Sequence, residues 1–356
     1  MMKQIGLSFF RGKRVLVTGH TGFKGTWLCR ILTNAGANVF GYSRCSDKSP
    51  NFFEISGLKE RVPYVCGDIR DYEHLLSCFQ QFQPEIVFHL AAQPIVRESY
   101  REPRYTYETN VMGTVNLLEC VRNTASVRSV LNITTDKVYL NNDLPSSFQE
   151  DDPLDGFEPY SNSKSCSELA TQSYVRSFFS GVGSPAVSTA RAGNVIGGGD
   201  FEKDRIIPDC IRSVQKGETI IVRNPHSTRP SQHVLDPLFA YLKISRHKWE
   251  NPSVAGWYNV GPDDCDCVTT GTLVDLFCRA WGNGCVWINK SEANAPHEAS
   301  FLKLDCTRLK TTFEWRPRWH IEEAIDRVCE WTRVYFEGGD IPAEMDRQIA
   351  LFLEDA

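Results

Sequence analysis

The chain has 356 residues, which allows one large α/β unit or about two domains. Hydrophobic residues make up 41% and charged residues 23% of it, a globular composition that excludes a disordered or fibrous chain. The formal net charge of −5 argues against sequence-independent nucleic-acid binding, and no apolar run is long enough for a membrane span or a signal peptide. We therefore expect a globular protein of the cytoplasm.

Short apolar or β-branched runs alternate with helical patterns through the first half of the chain. The runs predict strands over residues 14–18, 37–42, 62–66, 85–91, 129–134 and 186–191. Apolar residues at three- and four-residue spacing predict helices between them, for example at Trp27, Leu28, Ile31 and Leu32. Strands separated by helices indicate βαβ units, so the predicted fold class is α/β, a Rossmann-type doubly wound parallel sheet with a smaller C-terminal substrate-binding domain.

The pattern changes after residue 191. The segment GGGD (197–200) predicts a flexible turn, and short elements follow that are punctuated by Pro208, Pro225, Pro230 and Pro237. A strand is predicted over 257–262, and helices are predicted over 270–281 and from about 320. We predict a cofactor-binding and catalytic domain over 1–190, to which the chain returns at about 232–262. The substrate-binding domain would comprise 191–231 and 263–356.

Thirteen cysteines are many for this length, and an odd number leaves at least one unpaired. No two have the two-residue spacing typical of zinc sites; the nearest pair is Cys265 and Cys267. We expect reduced thiols that serve mostly as small core residues, with neither a disulfide framework nor a bound metal.

The segment TGHTGFKG (18–25) follows the first predicted strand and opens a helix. Its glycines allow a tight turn and let the backbone amides of the helix start approach a pyrophosphate. A ligand-free turn would also need glycines, but the strand–turn–helix context favours dinucleotide binding. We expect the cofactor to contact Gly19, Gly22, Phe23, Lys24 and Gly25.

The cofactor's ribose end is less clear in the sequence. Ser43 and Arg44 stand where a NAD site usually carries an acid. Arg44 could accommodate a 2′-phosphate or stack on adenine, so both NAD and NADP stay open. Asp68 and Ile69, after the third strand, could hold the adenine; alternatively, Asp68 or Asp71 caps the next helix.

Tyr160 and Lys164 are the strongest chemical signal. They follow Pro159, where a helix can begin, and their four-residue spacing places them on one helix face. A lysine ammonium near a phenol lowers the pKa of the phenol, which gives a base for a sugar hydroxyl.

The segment TTDKVY (134–139) ends the fifth strand, at the sheet edge where ligands bind. Asp136 and Lys137 are neighbours, so an extended chain would point them to opposite faces. Both serve one site only if the chain turns there; otherwise they form a surface ion pair.

Together these segments resemble the extended short-chain dehydrogenase/reductases, and more narrowly the branch that dehydrates CDP-glucose in bacterial deoxysugar and lipopolysaccharide (O-antigen) pathways. The resemblance covers about 12–335 and rests on TGHTGFKG, HLAAQPIVRESY (89–100), TTDKVY, YSNSK (160–164), RAGNVIGGGD (191–200), DRIIPD (204–209), RPSQHVLDP (229–237) and NVGPD (259–263). It implies a lyase that recycles NAD: oxidation at C4 of the sugar, loss of water across C5–C6, and hydride return to C6.

The resemblance also implies roles for individual residues. Tyr160 would take the O4 proton, Lys164 would hold the nicotinamide ribose, Thr135 would bind the sugar near O4, and Asp136 would protonate O6. The better-known dTDP-glucose relatives have Glu at the position of Lys137. Lys137 as the C5 base is therefore a hypothesis, since an unperturbed lysine has a pKa of about 10.4 and nearby positive charge must lower it.

Further contacts follow from the resemblance. Cofactor contacts are expected at Leu90, Ala91, Ala92 and Thr109. Substrate contacts are expected at Arg97, Asn194, Arg205, Arg229 and His233. For Arg97 a solvated side chain is the more ordinary outcome, and for His233 a surface or core position is equally ordinary. The helices near 104–124 and 161–180 imply a homodimer or homotetramer, unless they are buried against the sheet alone.

Two other functions stay open at this point. A nucleotide-sugar 4-epimerase needs only oxidation and reduction at C4, but the Asp136–Lys137 pair favours elimination because an epimerase has no leaving hydroxyl to protonate. A non-catalytic nucleotide-sensing Rossmann protein would keep the fold without the chemistry, and the presence of Tyr160 and Lys164 argues against it.

Overall fold

The computed structural model describes residues 6–45, 49–141, 146–291 and 302–354. The strands, numbered in chain order, are β1 (Arg14–Thr18), β2 (Asn38–Ser43), β3 (Tyr64–Cys66), β4 (Ile86–His89), β5 (Ser129–Ile133), β6 (Ala186–Ala192), β7 (Val195–Ile196), β8 (Ile220–Val222), β9 (Thr228–Pro230), β10 (Gln232–His233), β11 (Trp257–Val260), β12 (Cys267–Thr269) and β13 (Trp287–Asn289).

The α-helices are α1 (Phe23–Asn34), α2 (Phe52–Ile55), α3 (Tyr72–Phe82), α4 (Val96–Arg101), α5 (Pro103–Tyr107), α6 (Gly113–Arg122), α7 (Pro159–Phe178), α8 (Ile206–Lys216), α9 (Leu235–Glu250), α10 (Thr270–Trp281), α11 (Thr307–Phe313), α12 (Ile321–Phe336) and α13 (Ile341–Glu354). In the described ranges, no helix combines the length and apolar character needed to cross a bilayer.

A parallel sheet of seven strands, in the order β11-β6-β5-β4-β1-β2-β3, forms the centre of the fold. β1 pairs with both β2 and β4, which is the point where the strand order reverses. The predicted fold class is confirmed. Each of the six runs predicted as strands overlaps a strand of this sheet, and the run at 257–262 supplies the seventh, β11, which pairs with β6.

Helices cover both faces of the sheet because successive strand side chains point to opposite sides. Val15 and Val17 of β1 face an apolar core with α1, α9 and α13, whereas Leu16 faces a second core with α3 and α6. Helix α9 is buried around most of its circumference, so no one-sided apolar pattern marks it in the sequence.

A third apolar core packs α8, α10 and α12 with β8, and its residues all follow residue 191. The division into two domains stays a prediction.

Two of the prolines expected to punctuate short elements instead lie in the first turns of helices, Pro208 in α8 and Pro237 in α9. Proline is tolerated there because a first-turn N–H has no partner within the helix.

The cysteines depart from expectation at one place. Cys45, just after β2, and Cys66, at the end of β3, form a disulfide with Cα atoms 5.2 Å apart. This corrects the prediction that the thiols are all reduced. The two cysteines meet because β2 and β3 are neighbours in the sheet, a pairing that sequence spacing does not reveal. The remaining cysteines are free, and all of them except Cys265 are buried or half-buried.

Candidate functional site

A cavity of about 1590 Å³ opens at the carboxyl edge of the parallel sheet. Its walls come from the loops after β1, β2, β3, β4, β5 and β6, and from the segment that begins α8. This is the edge at which open α/β sheets bind ligands. With one exception, every residue predicted for the site lines this cleft.

The glycine loop leaves a backbone cradle at the start of α1. Gly19 has φ +72°, and a Cβ there would lie 2.7 Å from the Ala91 nitrogen. A Cβ on Gly25 would lie 2.1 Å from the Gly19 oxygen, so larger residues do not fit. No side chain caps the amides at the start of α1. Uncapped amides at a helix start suit a phosphate, so the loop fits the pyrophosphate of a dinucleotide.

Ser43, Arg44, Asp68 and Ile69 line one end of the cleft, here called the adenosine end after the group predicted to bind there. Asp68 accepts hydrogen bonds from the backbone and side chain of Arg70, which lower the pKa of its carboxyl. Asp71, not Asp68, caps α3. The exposed Arg44 guanidinium lies 5.5 Å from the centre of the Tyr105 ring.

His20 was not predicted as a site residue, although it supports the adenosine end. Its buried Nδ1 lies 3.1 Å from Ser43 Oγ, and Ser43 Oγ lies 2.9 Å from Thr21 Oγ1. Burial lowers the pKa of His20 to about 4, so the ring is neutral at pH 7. A single histidine in a glycine-rich loop carries no sequence signal for this contact.

Thr109 supplies a second sign of a missing ligand. It lies in a π-helical turn, Glu108–Met112, just before α6, and it lines the cleft. Its hydroxyl is buried, and none of the residues that the structure describes forms a hydrogen bond with it. Buried hydroxyls normally have partners, so a polar ligand atom fits here. Leu90, Ala91 and Ala92 line the same wall after β4.

The chain turns at the end of β5, which is the condition for Asp136 and Lys137 to serve one site. A single 3₁₀ turn, Asp136–Val138, follows Thr135, and Asp136 and Lys137 both line the cleft. Lys137 Nζ donates to Asp136 Oδ1 at 3.2 Å, and the Thr135 hydroxyl donates to the same oxygen at 2.9 Å. Asp136 Oδ2 is buried and has no hydrogen-bond partner within the described ranges, so a ligand atom fits there.

Helix α7 begins at Pro159, as predicted, and presents Tyr160 and Lys164 to the cleft. Glu158 fixes the helix start by accepting the Tyr160 and Ser161 amides at 2.7 and 3.1 Å. We call the group of Thr135, Asp136, Lys137, Tyr160 and Lys164 the catalytic end.

Burial dominates the electrostatics of the catalytic pair. It raises the pKa of Tyr160 to about 12, with the Thr135 hydrogen bond acting in the opposite direction. Burial lowers the pKa of Lys164 to about 8, and Lys164 Nζ donates to the Ile133 carbonyl at 3.1 Å. The predicted lowering of the phenol pKa is therefore not observed, because loss of solvation is the largest influence on the phenol and raises its pKa.

Four of the five predicted substrate residues, Arg97, Asn194, Arg205 and Arg229, line the cleft. Arg205 pairs with Asp200 at 2.8 Å. His233 is the exception: it is fully buried, packs against the Trp319 and Trp27 rings, and accepts the Leu235 amide at Nδ1. Its aromatic surroundings make it a core residue, which corrects the prediction.

Two other polar residues of the cleft were not predicted. Ser231 and Thr270 line it as well. They come from separate short segments after residue 191, whose spacing in sequence gives no sign that they meet.

The described residues contain one group of side chains with metal-ligating atoms, Cys265, Asp266 and His320, and none of these lines the cleft. Asp266 accepts the Ile321 amide at 2.9 Å and so caps the start of α12. Its other oxygen lies 2.9 Å from His320 Nδ1.

The doubly wound sheet, the glycine cradle and the Tyr–Lys pair opposite Thr–Asp define an enzyme of the extended short-chain dehydrogenase/reductase class. The family model described as GDP-mannose 4,6 dehydratase matches residues 16–328. The chain belongs to this family. It is 44% identical to the CDP-glucose 4,6-dehydratase of Salmonella typhimurium, over 98% of each chain.

Solved structures agree on the fold. The UDP-glucose 4-epimerase of Thermotoga maritima, in complex with UDP-glucose, superposes with a TM-score of 0.79 at 23% identity, over 90% of this chain and 99% of that one. The dTDP-glucose 4,6-dehydratase of Bacillus anthracis, in complex with NAD, gives a TM-score of 0.75 at 20% identity, over 92% and 99%.

Proposed function

We infer that this chain is a hydro-lyase that converts CDP-glucose to CDP-4-dehydro-6-deoxyglucose with NAD as a recycled cofactor. The observation that carries this inference is the turn after β5, which presents an acid and an amine, Asp136 and Lys137, beside Tyr160 in one cleft. An epimerase needs no such pair. The 44% identity to the Salmonella dehydratase supports the same reaction and the CDP-linked substrate.

Tyr160 and Lys164 serve the oxidation step. The cleft residues would hold NAD, which would supply the hydride acceptor for C4 and the hydride donor for C6. Tyr160 removes the O4 proton, and Thr135, within hydrogen-bond reach of the phenol, orients the sugar at O4. Lys164, held by the Ile133 carbonyl, would bind the nicotinamide ribose. The cradle at Gly19, together with the other loop residues, would hold the pyrophosphate.

Asp136 and Lys137 serve the elimination. The 4-ketone makes the C5 hydrogen acidic, and Lys137, in its uncharged form, would remove it. Asp136 would give a proton to O6, which leaves as water, through the oxygen that has no protein partner. The Lys137 amine lies 3.2 Å from an Asp136 oxygen across the 3₁₀ turn, so acid and base would act on neighbouring atoms of one substrate.

The predicted substrate residues of the cleft would hold the CDP group. Arg229 and Arg205 offer guanidinium groups for the diphosphate, and Asn194 an amide. Arg97 would reach the sugar or the phosphate. A mildly acidic chain can bind this anion because the basic groups lie together in one cleft.

We also propose that the enzyme works in the cytoplasm, in bacterial deoxysugar and lipopolysaccharide synthesis, as a homodimer or homotetramer formed through the α6–α7 face. Met112, just before α6, and Leu169, on α7, are 50% and 49% exposed, which leaves apolar surface for a second copy. Analytical ultracentrifugation of the chain and of Leu169→Glu tests this, and a monomeric parent chain contradicts it.

Deuterium transfer tests the reaction. CDP-glucose labelled with deuterium at C4 should give a 4-keto-6-deoxy sugar with deuterium at C6, followed by NMR and mass spectrometry. Label retained at C4 with an inverted hydroxyl would indicate an epimerase. Cofactor binding without turnover would indicate a sensor. Parallel reactions with the UDP- and dTDP-linked sugars test the choice of nucleotide.

A further inference from the structure

Three side chains with metal-ligating atoms meet at a surface outside the cleft. Cys265 and Asp266 belong to a single 3₁₀ turn, Asp264–Asp266, just before β12, and His320 is the residue before α12. His320 Nδ1 lies 2.9 Å from Asp266 Oδ2. Cys265 Sγ lies 3.6 Å from that oxygen and 4.0 Å from that nitrogen. One imidazole nitrogen, one carboxylate oxygen and one sulfur therefore converge on the same small space.

The three distances fit the ligands of a tetrahedral zinc ion. Zinc bonds are about 2.0–2.1 Å long to nitrogen or oxygen and about 2.3 Å to sulfur, so ligand atoms in a tetrahedron lie roughly 3.3–3.8 Å apart. The distances of 2.9, 3.6 and 4.0 Å span this range. They allow one point, just outside the plane of the three atoms, that satisfies all three bond lengths to within about 0.1 Å. The fourth tetrahedral position is left for water.

The surroundings of Asp266 suit a ligating carboxylate. Asp266 is 4% exposed, and its second oxygen, Oδ1, accepts the Ile321 amide at 2.9 Å. Ligating carboxylates are normally oriented by such a hydrogen bond, and buried charges in proteins are paired or bind metals. Cys265 and His320 are exposed, so the ion has a path from solvent.

An ion pair between His320 and Asp266 explains the shortest distance without a metal. It does not account for the sulfur, because a thiol is only a weak hydrogen-bond donor and gains little from lying against both groups. A thiolate is, in contrast, a strong ligand for zinc. A set of one nitrogen, one oxygen and one sulfur also favours zinc over magnesium or calcium, which take oxygen ligands.

We propose that Cys265, Asp266 and His320 bind one Zn²⁺ ion, which joins the turn before β12 to the start of α12. The thiol loses its proton to solvent as the zinc–sulfur bond forms, and no electron is transferred. β12 pairs with β9 so that Val268 lies opposite Arg229, and both of these residues line the cleft. The ion therefore stabilises the turn that leads into this wall of the cleft.

The test is zinc binding by the full, untagged chain after treatment with a chelator, measured by calorimetry. Wild type should bind one zinc ion per chain with a Kd below about 10 µM, and bound zinc should raise the melting temperature. Co²⁺ in place of zinc should give the sulfur-to-cobalt charge-transfer absorption of a thiolate ligand. No substrate is needed, so the result is independent of the proposed function.

Variants of the three ligands locate the ion. Cys265→Ser and His320→Ala should each weaken zinc binding at least about tenfold, and Cys265→Ser should abolish the cobalt–sulfur absorption. Asp266→Asn keeps an acceptor for the Ile321 amide, so it should weaken zinc binding while α12 stays capped. In the absence of zinc, Cys265→Ser should melt at the temperature of wild type.

Two variants outside the cluster are the controls. Cys285→Ser removes a half-buried thiol 3.3 Å from Cys278 Sγ, and His226→Ala removes an exposed imidazole. Both should bind zinc like wild type. Equal zinc binding by wild type and Cys265→Ser would overturn the proposal, as would a loss of binding in Cys285→Ser instead. A wild-type Kd above about 10 µM would also overturn it and leave His320 and Asp266 as an ion pair.

Discussion

The two ends of the cleft are built differently. At the catalytic end Asp136, Lys164 and Tyr160 are 1%, 4% and 9% exposed, and each is fixed by contacts within the protein. At the adenosine end Arg44 and Cys45 are exposed, and the polar contacts include a surface pair between Arg70 and Asp68. One end is a low-dielectric interior, and the other is a protein surface.

This difference in burial decides how much each side chain contributes to rate, stability or affinity. Charges in a low-dielectric interior interact several times more strongly than charges at a surface, and a buried polar group that loses its partner keeps the full cost of desolvation. Exposed ion pairs contribute about 0–1 kcal/mol. Substitutions at the catalytic end should therefore have large effects on rate or stability, and those at the adenosine end small effects on affinity.

The largest effect is expected from Tyr160→Phe. In the proposed mechanism the Tyr160 phenol takes the O4 proton, so its removal should lower turnover of CDP-glucose about 10³-fold. NAD content and the melting temperature should stay close to wild type, and Tyr107→Phe, whose hydroxyl contacts Asn162 on α7, is the control. Steady-state kinetics measures the loss. Turnover within tenfold of wild type would show that another group acts as the base.

The buried ion pair between Glu168 and Arg191 should have a large effect on stability. Glu168 on α7 is fully buried and accepts Arg191 at 2.9 Å and the Thr134 and Thr189 hydroxyls at 2.5 and 2.8 Å. Glu168→Ala leaves a buried charge without its partner and should lower the free energy of unfolding by about 3–5 kcal/mol.

Urea denaturation measures the Glu168→Ala change. The control is Glu250→Ala, which breaks an exposed pair with Arg246 and should cost less than about 1 kcal/mol. Equal losses in the two variants would contradict the contrast between interior and surface.

Much of the fold could be predicted because local patterns carry it. β1 matches its predicted range, α10 matches the helix predicted over 270–281, and α7 begins at the proline that predicted its start. Parallel strands buried on both faces read as apolar runs, and the glycine loop needs its residue type at Gly19 and Gly25. These signals lie within a few residues of one another.

The rest depends on contacts between distant segments. His233 packs against Trp319, which is far away in the sequence, so its burial could not be inferred locally. The Cys45–Cys66 disulfide and the contact between His20 and Ser43 could not be inferred locally either. The pKa of Tyr160 also needed the structure, since burial opposes the lysine effect that its spacing predicts.

The disulfide should stabilise the adenosine end by a moderate amount. Cys45 and Cys66 are 21 residues apart, and closing a loop of this order contributes about 3 kcal/mol in the chain-entropy description. Cys45→Ser or a thiol reductant should each lower the free energy of unfolding by about that amount, and the two effects should not add. Cys265→Ser, at an exposed free thiol, is the control. An unchanged melting curve in the reductant would show that the bond does not contribute.

The smallest effect is expected from Arg44→Ala. The Arg44 guanidinium lies 5.5 Å from the centre of the Tyr105 ring, and Arg70 lies 5.0 Å from the same ring, so a second cation remains at the site. An exposed cation–π contact is worth about 0.5–1 kcal/mol, so NAD should bind less than about fivefold more weakly, measured by calorimetry. Arg104→Ala, at an exposed pair with Glu108, is the control.

The same variant distinguishes the two cofactors. If Arg44 held a 2′-phosphate, Arg44→Ala would lose more than about tenfold in NADP affinity, because a charge-assisted contact to phosphate is stronger than a surface stack. Its NAD affinity would then stay constant. That result would overturn the assignment of NAD, and a comparable loss for NAD would mean that the adenosine end is as tightly constrained as the catalytic end.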